Sequence, residues 1–157
     1  MKEIYFGGGC FWGIEKYFQL IKGVKKTSVG YLNSRIKNPS YEQVCSGYTN
    51  AVEAVKVEYE EKEISLSELI EALFEVIDPT IRNRQGNDIG TQYRTGIYWT
   101  DSSDEKIIND KFLKLQKNYS KPIVTENKKV ENYYLAEEYH QDYLKKNPNG
   151  YCHIKFD

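Results

Sequence analysis

Residues 4–23 constrain this chain most. Ile4-Tyr5-Phe6 reads as a short buried strand, and Gly7-Gly8-Gly9 stops it. Ile14, Tyr17, Phe18 and Ile21 then recur at helical spacing up to Gly23. A strand, a glycine turn and a helix within twenty-odd residues commit the chain to a β–α unit. The stretch Gly7-Gly8-Gly9-Cys10-Phe11-Trp12-Gly13 puts one cysteine at that turn, close to a helix N-terminus. Unpaired N–H groups and a partial positive charge at a helix start favour a thiolate. Burial in an apolar setting works in the opposite direction, and an inert cysteine caught in a glycine turn is the competing interpretation.

The remaining elements follow the same two periods. Val24 to Tyr31 reads as a strand, and Asn33 to Ser40 as a polar loop. Val55, Val57 and Tyr59 alternate with polar neighbours as a half-buried strand. Ser65 and Glu68 form a capping box before the apolar face Leu66, Leu69, Ile70, Leu73, Phe74 and Ile77. Asp78 to Gln92 is loop chemistry, long enough to suggest function. Gly96 to Trp99 is a strand, Ser102 to about Leu115 a helix opened by a second capping box with Glu105, Ile123-Val124 an edge strand, and Tyr139 to Leu144 a short helix. The expected fold is α+β: a ferredoxin-like two-layer sandwich, with a mostly antiparallel sheet, helices packed on it and an irregular C-terminal tail. No linker or repeat breaks the 157 residues, so 1–157 is expected to be one catalytic domain with 146–157 as its tail.

Charge and cysteine content exclude several functions. A net charge of −1, with lysines and acids interspersed, argues against a nucleic-acid partner. No secretory signal or membrane-length apolar run is visible, so a cytoplasmic protein with no membrane partner is expected. Three cysteines, Cys10, Cys45 and Cys152, are then expected to be reduced or redox-active, with Cys45 a small buried hydrophobe. Two histidines and no CxxC make a four-ligand zinc site improbable, and the glycine run lacks the lysine of a phosphate loop. No metal, flavin or nucleotide cofactor is expected.

Separated segments then complete a pattern. Besides Gly9-Cys10-Phe11-Trp12-Gly13 there are Gly30-Tyr31, Asn38 to Gly47, Ala54 to Tyr59, Asp78 to Arg94, Ala136-Glu137-Glu138-Tyr139-His140-Gln141 and Asn147 to Cys152. Together, in this order and over almost the whole chain, they resemble the A-type peptide methionine sulfoxide reductases. The resemblance implies Cys10 as nucleophile, Phe11 and Trp12 as a pocket for the substrate methyl, and Glu53 as the acid that protonates the sulfoxide oxygen. It implies Tyr41 and Tyr93 as phenols holding that oxygen, Asp88 as the aspartate that organises the site, and Cys152 as the resolving thiol. The implied substrates are oxidised proteins and free methionine sulfoxide, taken as the S epimer, and the implied reductant is thioredoxin or a similar dithiol protein.

The residue types suit that chemistry. A sulfoxide oxygen leaves only when protonated, so thiolate attack needs an acid in hydrogen-bond reach. A carboxyl beside an apolar pocket has a raised pKa and can serve near neutrality. Phenols can hold the oxygen without competing as nucleophiles. A sulfenic acid left on one cysteine condenses with a second thiol. Taken singly, Glu53 could be an exposed strand acid, the tyrosines packing, Asp88 a loop cap and Cys152 an idle terminal thiol. His140 is expected to pack or to orient its neighbours. Two other functions stay open on these residues: a Cys–His acyl hydrolase using Cys10 and His140, and a non-catalytic peptide-binding module.

The chain departs from the family at two loops. Many members have Gly-His where this chain has Asn50-Ala51, and Gly-Tyr-x-Gly-Gly becomes Gly30-Tyr31-Leu32-Asn33-Ser34. No second recycling cysteine follows Cys152, so a single-step relay from Cys10 to Cys152 to an external dithiol protein is expected.

Overall fold

The computed structural model describes residues 1–154; the end of the expected tail, 155–157, lies outside the described residues. Strand β1 (Lys2–Gly7) stops at the glycine run, and α1 (Phe11–Gln19) starts directly after Cys10. β2 (Val24–Leu32), the one-turn helix α2 (Tyr41–Cys45), β3 (Val52–Tyr59) and α3 (Leu66–Val76) follow. A two-residue hairpin, β4 (Arg84–Gln85) and β5 (Asp88–Ile89), and a 3-10 turn at Thr91–Tyr93 lead into β6 (Gly96–Trp99). Then come α4 (Ser103–Leu115), β7 (Glu126–Lys129), β8 (Tyr133–Leu135), a 3-10 turn at Glu138–His140 and α5 (Tyr143–Lys146).

Six strands form one mixed sheet in the order β7-β6-β1-β3-β2-β8. All its pairings are antiparallel except β6 with β7. Along β1 the side chains alternate between two faces. Ile4 and Phe6 join α1, α3 and α4 in the main core, where Phe6 stacks on Phe18 at 4.6 Å. Tyr5 lies in a smaller cluster with Leu32, Val52, Ala54 and Tyr98. The stripe read on α3 is the buried one: Leu69, Ile70 and Leu73 are fully inside. Each such side chain contributes about 1.5–3 kcal/mol, so the helices are held by this face and not by propensity.

Several local expectations need correcting. Ser65 caps α3 with a capping box, but Ser102 makes no capping bond at α4. Asp101 does so instead, accepting from the Ser103 N–H at 3.0 Å. Ile123-Val124 is not a strand, because the Ile123 N–H goes to Gln116 and the Val124 N–H to the Pro79 carbonyl. The edge strand falls on the charged Glu126–Lys129, a composition that discourages further pairing. The helix expected over Tyr139 to Leu144 is split by Asp142, which sits at φ 52. Its N–H is held by Glu15 and its carboxylate by Gln19, both on α1. The loop Asp78 to Gln92 holds the β4–β5 hairpin, and α2 was not expected at all.

The two departures in the loops share one geometry. Asn50 has φ 55 and Asn33 has φ 54. Both stand where the family pattern carries glycine, and asparagine is the side chain that best tolerates this left-handed region. The substitutions therefore keep the backbone path.

Candidate functional site

Cys10 is the residue immediately before α1, with extended backbone (φ −60, ψ 125). The residue is nearly enclosed, at 7% exposure. Because β3 lies between β1 and β2, its Glu53 side chain reaches the start of α1. Glu53 is 1% exposed, and its Oε1 accepts the Phe11 N–H at 3.3 Å. Its Oε2 is buried and has no hydrogen-bond partner among the described residues.

The protonation states follow from burial. Desolvation pushes the Glu53 carboxyl up to about 8; the Phe11 N–H opposes this and the Asp88 charge adds to it. At neutral pH Glu53 therefore carries a proton. The Cys10 thiol is pushed up as well, first by burial and then by Glu53, with the Trp12 N–H pulling it down. This corrects the expectation of a resting thiolate. The helix start is present, but its first N–H is spent on Glu53, and one remaining N–H does not offset desolvation.

Tyr41 opens α2. Its N–H donates to Glu137 Oε2 at 3.0 Å, and Glu137 Oε1 accepts the Tyr31 hydroxyl at 2.7 Å. Tyr93 ends the Thr91–Tyr93 turn. The next residue, Arg94, ties that turn to the Asn50 carbonyl at 3.0 Å and to Glu126 at 2.8 Å. Burial and the nearby Glu53 carboxyl raise both phenols, so both stay neutral donors. The Glu53 charge acts on both phenols, and Tyr93 also feels Asp88 and Cys10.

Phe11 is 1% exposed, lying against Tyr31 and His140, while Trp12 is half-buried. Trp12 stacks on Tyr143 at 3.8 Å and donates Nε1–H to His140 Nδ1 at 2.9 Å. His140 is fully buried and its ring also faces Tyr41 at 4.6 Å. Cys45 is exposed on α2, beside Tyr41, and not buried as expected. Val44 takes the inward position on that one-turn helix.

Asp88 sits on the β4–β5 hairpin and accepts the Tyr151 hydroxyl at 3.0 Å. That bond belongs to the tail. Cys152 is free and half-buried, as Cys10 is free and buried. A Cβ built on Gly13 would lie 2.7 Å from the Cys152 sulfur, and one on Gly9 would lie 2.8 Å from His153 Nε2. Gly9 also needs its φ of 90. The glycines around Cys10 thus make room for the tail. The start of α1 brings together Cys10, Glu53, Tyr41, Tyr93, Asp88, Cys152, Phe11 and Trp12. Sequence reasoning missed Glu137, Arg94 and His153, which hold these groups; Glu137 and Arg94 lay within quoted motifs but were given no role, and His153 lay outside them. Among the described residues no cluster of three or more His, Cys, Asp or Glu side chains could hold a metal ion. None of their helices is long and apolar enough to cross a membrane.

Comparison with known proteins bears on this arrangement. Residues 2–157 match the family model described as peptide methionine sulfoxide reductase. The chain is 99% identical over 157 residues, covering 100% of both sequences, to the peptide methionine sulfoxide reductase MsrA of Mycoplasma genitalium. Its fold resembles the crystal structure of reduced Mxr1 from Saccharomyces cerevisiae, with TM-score 0.92 and 38% identity over 96% of this chain and 88% of that one. It also resembles Mxr1 from Saccharomyces cerevisiae in complex with Trx2, with TM-score 0.66 and 26% identity over 90% and 84% of the two chains.

Proposed function

Because the chain belongs to the peptide methionine sulfoxide reductase family and is an enzyme of that activity, we propose that Cys10 attacks the sulfoxide sulfur while Glu53 protonates its oxygen. Tyr41 and Tyr93 donate hydrogen bonds to the same oxygen, Trp12 forms the substrate-facing wall of the methyl pocket and Phe11 backs it. Asp88 organises the site and anchors the tail. The observation that carries this assignment is the buried, unpartnered Glu53 Oε2 beside a thiol and two neutral phenols. A protonated carboxyl so placed has a hydrogen to give and no acceptor for it among the described residues.

The neutral resting pair supplies the proton inventory. Glu53 gives its proton to the oxygen as the S–O bond weakens, and the Cys10 proton returns to Glu53. The oxygen, now a hydroxyl, ends on Cys10 as a sulfenic acid, and the thioether methionine departs. Cys152 then condenses with the sulfenic acid, releasing water and leaving a disulfide. A thioredoxin-type dithiol protein reduces it; the likeness to Mxr1 in complex with Trx2 supports that partner. The S epimer, oxidised proteins and free methionine sulfoxide are the proposed substrates, and the cytoplasm, where such reductants keep thiols reduced, is the proposed compartment. We describe 1–157 as one catalytic domain on a ferredoxin-like core; the β1-α1-β2-β3-α3-β6 order supports this, and 146–157 is its thiol-bearing tail.

Glu53→Gln tests the assignment. Methionine formation from a peptide S-sulfoxide should slow by about 10²–10⁴-fold in a single turnover. Wild-type activity should fall as pH rises through about 8, where Glu53 loses its proton. A Gln variant at wild-type rate would remove Glu53 from the chemistry.

A further inference from the structure

His153 follows the half-buried Cys152, and its side chain is 5% exposed. Its Nε2 lies 2.9 Å from the Gly8 carbonyl oxygen. A carbonyl oxygen only accepts, so Nε2 carries the proton and Nδ1 of the neutral ring presents a lone pair. That Nδ1 is closed off from solvent and has no hydrogen-bond partner among the described residues. Asp88 Oδ2 stands 4.0 Å from it. The spot 2.7 Å from Cys152 Sγ, where a Gly13 Cβ would sit, is 3.5 Å from both His153 Nδ1 and Cε1, so the sulfur and the Nδ1-bearing edge of the ring meet at one place on the first turn of α1. Leaving a buried ring nitrogen unpartnered costs stability, and such groups concentrate where chemistry uses them.

Resting on the roles inferred for Cys10 and Cys152, we propose that His153 is the general base of the resolving step, taking the Cys152 proton as that sulfur attacks the Cys10 sulfenic acid. The Cys152 S–H and Cys10 S–O bonds break and the S–S bond forms. The proton held on Nδ1 passes to the departing hydroxide, which leaves as water. Cys152 is oxidised from thiol to disulfide and the Cys10 sulfenic sulfur is reduced to the same level, so no further oxidant enters and the ring ends neutral. The Gly8 carbonyl on Nε2–H orients the ring, as the third group orients the base of an activated nucleophile, and while Nδ1 holds the proton the nearby Asp88 carboxylate stabilises the imidazolium. The Ile154 N–H, 3.4 Å from Cys152 Sγ, meets the charge developing on sulfur.

The groups facing the ring are few. Among the described residues, Asp88 approaches from β5, the Gly8 carbonyl from the β1–α1 turn and Cys152 from the tail; Gln85 packs beside it over Gly9 and is uncharged. Burial holds the ring below the usual histidine range, against the Gly8 bond and the Asp88 charge, so it is neutral at pH 7 and able to accept.

The test separates the two halves of the cycle in the full-length reduced enzyme. One equivalent of a peptide methionine sulfoxide is added, and methionine release and disulfide formation are timed separately in wild type, His153→Gln and His153→Ala. Both variants should release about one methionine per enzyme but form the disulfide about 100-fold more slowly, with the sulfenic acid trapped by dimedone. The wild-type resolving rate should level off above the histidine titration, while in the Gln variant it should keep climbing with pH. Gln can retain the Gly8 bond, so a purely structural latch would leave rate and pH profile unchanged in that variant, and this result would overturn the proposal. Absence of methionine release in wild type would instead overturn the role of Cys10 itself.

Discussion

Cys10 and Glu53 are both buried at the start of α1, and the Glu53 charge adds to the cost of a thiolate on Cys10. Neither state could be read from local sequence. The helix start beside Cys10 is visible in the glycine turn, but the desolvation that outweighs it comes from β3 and from the tail. The same burial has a consequence for stability. Glu53 holds its proton up to about 8 in the fold, against 4.5 for an ordinary glutamate. Between those values the folded chain binds more protons than the unfolded one, so this group's stabilising contribution, complete below about 4.5, is lost as pH rises through about 8. Glu53→Gln removes that dependence. Thermal unfolding at pH 8.5 should therefore give a higher midpoint for the variant than for wild type, and the difference should shrink towards pH 4. A variant less stable than wild type at pH 8.5 would contradict the assigned protonation.

Among elements, those carrying their own signals were the legible ones. Helix α3 has a Ser65–Glu68 capping box and an unbroken apolar stripe, and both are present in the fold. Helix α2 is a short helix whose only local signal is its Ser40–Gln43 capping box, with no apolar stripe behind it, and it is also held by Glu137 from a distant segment. The Asp142 break depends on Glu15 and Gln19 across the interface with α1, again a non-local cause. Helix α1 carries the most specific requirement, because its Gly13 faces Cys152. Alanine would ordinarily favour a helix interior by about 0.5–1 kcal/mol over glycine. In Gly13→Ala the added methyl needs the space of the Cys152 sulfur. The variant should keep its single methionine release, yet form the disulfide at least about tenfold more slowly, as read by thiol titration after one turnover. An undiminished rate would mean that the tail does not resolve from this docked position.

At the scale of the whole molecule, topology makes the site. Residues far apart in the chain meet because β1 lies between β3 and β6, and because the tail returns to the turn that follows β1. The sequence motifs named the groups, whereas the strand order, the Asp88–Tyr151 bond and the His153–Gly8 bond supply their arrangement. Cys10, Cys45 and Cys152 are all free, and which of them turnover joins tests the proposed relay. The most direct measurement is intact and peptide mass spectrometry of the reduced enzyme after one equivalent of a peptide methionine sulfoxide, with methionine quantified in the same sample. One methionine per chain and a Cys10–Cys152 disulfide, with Cys45 still a thiol, is the predicted result. An unmodified chain, or a disulfide that includes Cys45, would contradict it.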